Sequence, residues 1–283
     1  MEKLNKPIRM VVCDLDGTLL YSTKKITDRN KDAICALRNR GVKFGICSGR
    51  SAVALKTMLA LWGIDQDVDF VIGFNGAMYM DSATGSIEET DWLTPEAIAP
   101  VMESLKGYRL AMAEYHGDGL YSTADNPIVR QMARRNRLSF HKVRPDWLLR
   151  NSLKFMAVGM PWTISRYLKS GEPARLKTAR VFRSGPFLLE FVHPQLSKLE
   201  GVKKACERFG CSLDEVVTFG NDNNDLEMLA GTVGVAMANA LPAIKEAAKY
   251  VTASNRHDGT AVFMEKYILT QPPLQPDKPE SSK

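Results

Sequence analysis

The 283-residue chain contains no run of about 18 apolar residues, the length a membrane-crossing helix needs. Its first residues, Met1-Glu2-Lys3-Leu4-Asn5-Lys6, hold no apolar signal core. A soluble, non-exported, cytoplasmic protein is therefore expected. Cysteine is sparse: Cys13, Cys35, Cys47, Cys206 and Cys211 are odd in number and include no Cys-x-x-Cys pair. That argues against a disulfide framework, and the five read as small buried thiols in a reducing compartment. His116, His141, His193 and His257 show no ligand spacing and read as surface or core residues. No internal repeat is present.

What is there suits a globular protein of one large or two modest domains, with 45% hydrophobic residues and a net charge of +6. The charge is uneven. Residues 84–190 hold 16 Lys/Arg against 11 Asp/Glu. Within them, 126–145 carry Arg130, Arg134, Arg135, Arg137, Lys142 and Arg144 and no acid. Nucleic acid is one interpretation of this run. A solvated helix face that also draws in small anions is preferred.

Val11 and Val12 open a buried strand that runs into Asp14-Leu15-Asp16-Gly17-Thr18. The spacing then predicts a helix over 26–39 with Thr27 as N-cap, a strand over 42–47, a helix through Leu61 stopped by Gly63, and a strand over 68–72. This is the alternation of a parallel sheet covered by helices on both faces. From about 78 to 190 the pattern changes. Strand-length pieces (78–81, 109–115, 155–159, 179–182, 187–191) alternate with helical ones near 95–105, 127–137 and 162–168. An α+β unit inserted into the sheet is expected, with hinges at 81–85 and near His193-Pro194. Helix resumes over 199–209, a strand over 216–219 leads into Gly220-Asn221-Asp222-Asn223-Asn224-Asp225, and helix and strand alternate to Thr252. Residues 271–283 hold four prolines in 13 positions and read as a disordered tail.

Three loops at the carboxyl ends of predicted strands carry the polar groups: Asp14/Asp16, Ser48-Gly49 and Asn221–Asp225. Two neighbouring carboxylates repel unless a cation or a phosphoryl chemistry uses them. One aspartate could attack phosphorus while the second moves the proton. A hydroxyl, backbone N–H groups and a lysine would hold the equatorial oxygens. Hard oxygen donors without His or Cys point to Mg²⁺ rather than Zn²⁺. Each part has a plainer interpretation. Asp-x-Asp-Gly could be a turn or a calcium loop, although EF-hand spacing would put its glycine at Leu19, or at Leu226 in the Asn221 register. Ser48-Gly49-Arg50 could be a helix N-cap, and so could 221–225. Lys198 is one of 38 basic residues, and spacing alone assigns it nothing.

Asp14-Leu15-Asp16-Gly17-Thr18-Leu19-Leu20 matches the first motif of the haloacid dehalogenase-like phosphatases. Ser48-Gly49-Arg50 is similar to the second, Ser197-Lys198 to the third, and Gly220–Asp225 to the fourth. Phe74-Asn75-Gly76-Ala77 resembles a signature of the Cof-type branch; Ala238-Asn239-Ala240 and Asn255–Gly259 resemble two more near the end. The resemblance covers about residues 8–270. It implies a Rossmann-like core over 1–83 and 191–270 and an inserted α/β cap over 84–190 that selects substrate. It further implies Asp14 as nucleophile and Asp16 as general acid/base. Thr18, Ser48, Gly49, Asn75, Lys198 and Asn224 would lie around the phosphoryl group. Mg²⁺ would sit on Asp14, Asp16 and the fourth motif, with Asp225 behind. Two positions depart from the pattern. Asn221 stands where the fourth motif usually has Asp, leaving Asn221 or Asp222 as the third metal ligand, and Leu199 follows Lys198 where Gly is common.

The expected activity is Mg²⁺-dependent hydrolysis of a small phosphorylated metabolite, such as a sugar phosphate. The alternatives are a phosphotransferase or mutase on the same scaffold, and a weakly active nucleic-acid or regulatory binding protein using 126–145.

Overall fold

The computed structural model describes residues 4, 6–21, 25–90 and 92–274. The expectations for residues 1–3, 5 and 275–283 lie outside them. The chain forms two compact units, one from residues up to 88 together with those from 197 on, the other from 89–196.

The first unit begins with β1 (Met10–Cys13), α1 (Asp28–Arg38), β2 (Lys43–Cys47), α2 (Ala52–Trp62), β3 (Phe70–Gly73), β4 (Met78–Asp81) and β5 (Ile87–Glu89). The second contains α3 (Pro95–Ser104), β6 (Ala111–His116), β7 (Gly119–Ser122), α4 (Pro127–Asn136), β8 (Ser139–Lys142), β9 (Phe155–Val158), α5 (Pro161–Lys169), α6 (Glu172–Arg175), β10 (Arg180–Gly185) and β11 (Leu188–Val192). The first unit resumes with α7 (Lys198–Phe209), β12 (Val216–Gly220), α8 (Leu226–Ala230), β13 (Val233–Ala236), α9 (Pro242–Ala247), β14 (Tyr250–Val251) and α10 (Gly259–Phe263). No helix among the described residues is long and apolar enough to cross a membrane.

The first unit's sheet has the order β14-β13-β12-β1-β2-β3-β4-β5, parallel from β14 to β3, with β4 antiparallel to β3. This is the expected α/β architecture, a parallel sheet with helices. All four residues of β1 are buried, as its unbroken apolar run requires of a central strand. One neighbour of β1 is β2, next in the chain; the other is β12, which pairs Met10 with Val216. The strand order reverses there, so the carboxyl end of β1 opens a crevice at the topological switch point. The helices begin where side chains can replace the missing backbone acceptors. Thr27, Ser51 and Ser197 each accept the N–H three residues on. Ser51 caps α2, so Ser48 does not serve as the cap that its sequence also allowed.

Three expectations are corrected. Residues 78–81 extend the first unit's sheet instead of joining the changed pattern, because β4 pairs with β3 along its length. Residues 81–85 form a tight turn rather than a hinge: Asp81 accepts the Thr84 N–H at 2.8 Å and donates its own to Ser86 at 3.1 Å. The tail does not begin at Gln271. The Gln271 side chain accepts the Ile8 N–H at 3.0 Å, its carbonyl takes Arg40, and the Leu274 N–H reaches the Arg40 carbonyl at 3.1 Å. The unit boundaries at 88/89 and 196/197 fall a few residues beyond the expected 83/84 and 190/191. On one side β5 lies at the edge of the first sheet; on the other β11 continues to a turn in which Leu196 donates to His193.

The second unit is a six-stranded sheet, β10-β11-β9-β6-β7-β8, antiparallel except for β7 with β8. Period-two alternation divides its core. Phe155 and Ala157 face a cluster with Ile98 and Val101 of α3 and Ile164 and Tyr167 of α5. Met156 and Val158 face Val129 and Ala133 of α4. β7 and β8 are absent from the sequence expectation, since each has four residues and β8 is mostly exposed, leaving no apolar run to detect.

On β6 a carboxylate stands in the core. Glu114 is 1% exposed and neither oxygen has a hydrogen-bond partner; the Arg150 guanidinium, stacked on Trp147, is 3.8 Å away. Burial pushes its pKa up to about 7, against the pull of Ser152 and Arg150. A carboxyl raised in the folded state supports folding below its unfolded pKa, and that support is lost as pH rises through about 7. Glu114→Gln should therefore flatten the pH dependence of urea unfolding between about pH 5 and 8 and gain about 2–3 kcal/mol at the upper end. An unchanged pH profile would contradict this reading.

Candidate active site

The site grows from the loop after β1. The Asp14 N–H still pairs with the Phe219 carbonyl at 3.0 Å, so the residue leaves the sheet in register with β12. The chain then turns at Gly17, φ 85°, where a Cβ would lie 2.7 Å from the Asn221 amide nitrogen. Both the backbone angle and the close approach require glycine. Late residues brace the turn: Asn239 donates to the Gly17 carbonyl and Asn255 to the Leu20 carbonyl, each at 2.8 Å. The two signatures near the chain's end thus act on the first motif.

Lys198 opens α7, and its ammonium lies 2.6 Å from Asp14 Oδ1 and 2.6 Å from Asp225 Oδ1. All three residues are buried, Lys198 at 1% and Asp225 at 0% exposure. Asp225 Oδ2 accepts the backbone N–H groups of Asn221 (2.8 Å) and Asp222 (3.0 Å), so one carboxylate both holds the lysine and shapes the loop after β12. A Cβ at Gly220 would stand 2.5 Å from that of Asp225, which explains the glycine. Burial drives Asp14 up to about 7; Lys198 opposes the rise, and the Asp225 and Asp16 charges add to it. Burial would lower Lys198, but the charges of Asp14 and Asp225 outweigh it and raise the ammonium above its usual range.

Asp16 is oriented differently. Its half-exposed carboxylate accepts from Arg50 Nε and Nη2 at 3.0–3.2 Å. Arg50 entered the sequence reading only as part of a motif, and this fork is its evident role. The Thr18 hydroxyl, expected near a phosphoryl group, is buried and donates to Asn221 Oδ1 at 2.8 Å. Ser48 follows β2, buried, with Oγ accepting the Arg50 N–H at 3.3 Å and its carbonyl accepting the Asn75 N–H at 2.9 Å. A Cβ at Gly49 would lie 3.5 Å from the Asn75 amide. Asn75 accepts from the exposed Asn224 amide at 3.2 Å. Phe74 and Asn75 both have left-handed backbones, φ 47° and 59°, an arrangement that costs about 1–3 kcal/mol per residue. The Asp222 carboxylate is exposed and caps the Asn223 N–H at 2.7 Å and the Asp225 N–H behind it.

The expected residues therefore form one chain of contacts. It runs from Asp14 through Lys198 and Asp225 to the 221–225 loop, then through Asn224, Asn75, Ser48 and Arg50 to Asp16. Among the described residues no three His, Cys, Asp or Glu side chains form a ready-made metal cage. The donors present still fit Mg²⁺, which uses one or two carboxylates and keeps several waters. The Asp14 carboxylate and the Asn221 amide oxygen, which also accepts the Thr18 hydroxyl, are hard oxygen donors of the kind that ion takes. Both oxygens of Asp225 are engaged, which suits a supporting position behind the loop.

A family model described as haloacid dehalogenase-like hydrolase matches residues 11–264. The chain belongs to this family. It is an enzyme, a hydrolase of the phosphatase kind, as its relatives in the family also indicate. YxeH of Bacillus subtilis (strain 168), which carries a phosphatase name, is 28% identical over 271 residues, covering 93% of this chain and 99% of its own. The 5-amino-6-(5-phospho-D-ribitylamino)uracil phosphatase YcsE of the same organism is 26% identical, covering 93% of this chain and 96% of its own. A haloacid dehalogenase-like hydrolase from Bacteroides thetaiotaomicron superposes with a TM-score of 0.80 at 25% identity, covering 92% of this chain and 99% of that one.

Lys198→Met should leave Asp14 and Asp225 buried as like charges without their cation and lower stability by about 3–5 kcal/mol. Urea unfolding at pH 8 measures this; a variant as stable as the parent would show that the ammonium is not what holds the two acids together.

Proposed function

We propose that the protein is a Mg²⁺-dependent phosphomonoester hydrolase that acts on a small phosphorylated metabolite through a phosphoaspartate at Asp14. The observation that carries this reading is the asymmetric hold on Asp14: Lys198 occupies Oδ1 at the switch point of the sheet, and Oδ2 is left to react.

In the first step Asp14 Oδ2 bonds to phosphorus as the bond from phosphorus to the substrate's ester oxygen breaks. Asp16 donates a proton to that departing oxygen. In the second step water attacks the aspartyl phosphate, its proton passes to Asp16, and Asp14 and inorganic phosphate are released. Asp16 must exchange an Arg50 contact for the leaving oxygen, so Arg50 serves as the rest position of the acid. Lys198, the Ser48 hydroxyl and the backbone at Gly49 hold the phosphoryl oxygens; Thr18 and Asn224 keep Asn221 and Asn75 in place. Asp14, the Asp16 carbonyl and Asn221 would hold Mg²⁺, with Asp225 behind, and the bound cation offsets the negative charge gathered there. Asp222, capping Asn223, is the weaker candidate for the third ligand.

The second unit, read as a cap, is assigned the choice of substrate, and the 16 Lys/Arg against 11 Asp/Glu over 84–190 suit an anion. The relative YcsE is named for a small phosphorylated metabolite, which supports that substrate class.

A panel of phosphorylated metabolites assayed with Mg²⁺ tests the reading, with EDTA abolishing turnover. Asp14→Asn should lower turnover of an aryl phosphate by at least about 10³-fold with its melting temperature retained. A fully active Asp14→Asn protein would exclude the mechanism. Turnover only in the presence of an added acceptor alcohol, with the phosphoryl group recovered on that alcohol and not as inorganic phosphate, would favour a phosphotransferase.

A further inference from the structure

The far end of α7 carries two thiols that the hydrolytic site does not use. The helix stops at Gly210, whose left-handed backbone (φ 61°) turns the chain so that the Cys211 N–H reaches the Cys206 carbonyl at 3.1 Å. This closure sets the first and sixth residues of a helix end side by side, the arrangement a disulfide needs, with Cα atoms roughly 4.4–6.8 Å apart. Both side chains belong to one apolar cluster, and each thiol shifts the ionisation of the other across the helix end. Cys206 is buried in the cluster with Val202, Ala205 and Val216, while Cys211 packs at its margin and is partly exposed. One sulfur can therefore meet a dissolved reagent while the other is shielded. Arg9 donates to the Gly210 carbonyl at 3.1 Å and places a positive charge beside Cys211. Of the other thiols, Cys13 and Cys47 are buried and Cys35 is exposed, which corrects the expectation that all five are buried.

We propose that Cys206 and Cys211 are a reversible dithiol–disulfide pair, closed by a low-molecular-weight disulfide and reopened by thiols. The division of labour follows from the surroundings. The neighbouring Cys206 lowers the Cys211 thiol; burial opposes this, and Arg9 supports it. Cys206 is raised by Cys211 and by burial. Cys211 as thiolate attacks one sulfur of the reagent, breaking its S–S bond and releasing one thiolate, which takes up a proton. Cys206 then loses its proton to water and attacks the Cys211 sulfur, expelling the second thiolate, which is protonated in turn. The protein loses two electrons and two protons, and the reagent becomes two thiols. The new bond ties down the end of the helix that begins at Lys198.

The test incubates the full-length protein with oxidised glutathione, alkylates the remaining thiols after denaturation, and maps the unreduced tryptic peptides. Trypsin cuts after Arg208, between the two cysteines, so the crosslink joins two peptides. The expected result is loss of two of the five alkylatable thiols, the Cys206–Cys211 linked peptides, and recovery with dithiothreitol. Cys206→Ser should instead keep glutathione on Cys211, and Cys211→Ser should leave Cys206 unmodified. A wild-type protein that retains glutathione on Cys211, or reacts only at Cys35, overturns the proposal.

Discussion

The structure is organised around one buried ammonium. Lys198 lies 2.6 Å from both Asp14 and Asp225, in surroundings closed to water, and none of the three charges could remain there alone. The arrangement constrains three distant parts of the chain together: the end of β1, the start of α7 and the turn after β12. Lys198 occupies one oxygen of Asp14, and so selects which one stays without that bond. Asp225 links that choice to the loop through the Asn221 and Asp222 N–H groups.

The sheet makes this possible. Parallel strands deliver their loops to one edge, and because β1 pairs with both β2 and β12, the first, second and fourth motifs become neighbours. The contacts between loops are polar and specific. Two successive left-handed residues, Phe74 and Asn75, place an amide between Ser48 and Asn224. That strain is borne where the loops meet, as is common at reactive sites. Asn239 and Asn255 hold the Asp14–Leu20 loop from the far end of the chain.

Local signals were legible in the sequence. Asp14, Asp16 and Gly17 sit within four residues of an apolar strand, and Thr27 by its hydroxyl and Gly63 by its backbone freedom mark helix ends. Lys198 was not legible from spacing, because its meaning depends on carboxylates 184 and 27 residues away. Only the family resemblance singled it out. The pairing of Arg50 with Asp16 and the Thr18 bond to Asn221 are equally non-local. Glu114 shows the converse: a charged residue in a strand reads as exposed, yet it is buried, with the Arg150 guanidinium 3.8 Å away. At the chain's end, proline content concealed the packing of Gln271 and Leu274 against Ile8 and Arg40.

In the proposed mechanism Asp14, held at one oxygen by Lys198, becomes covalently phosphorylated. Acid quench during turnover of an aryl phosphate with Mg²⁺, followed by peptide mass mapping, tests it most directly. One acid-stable, hydroxylamine-labile phosphoryl group is expected on the peptide containing Asp14. Under conditions in which the intermediate accumulates, phosphoryl on another residue, or turnover with no phosphorylated protein, would contradict it.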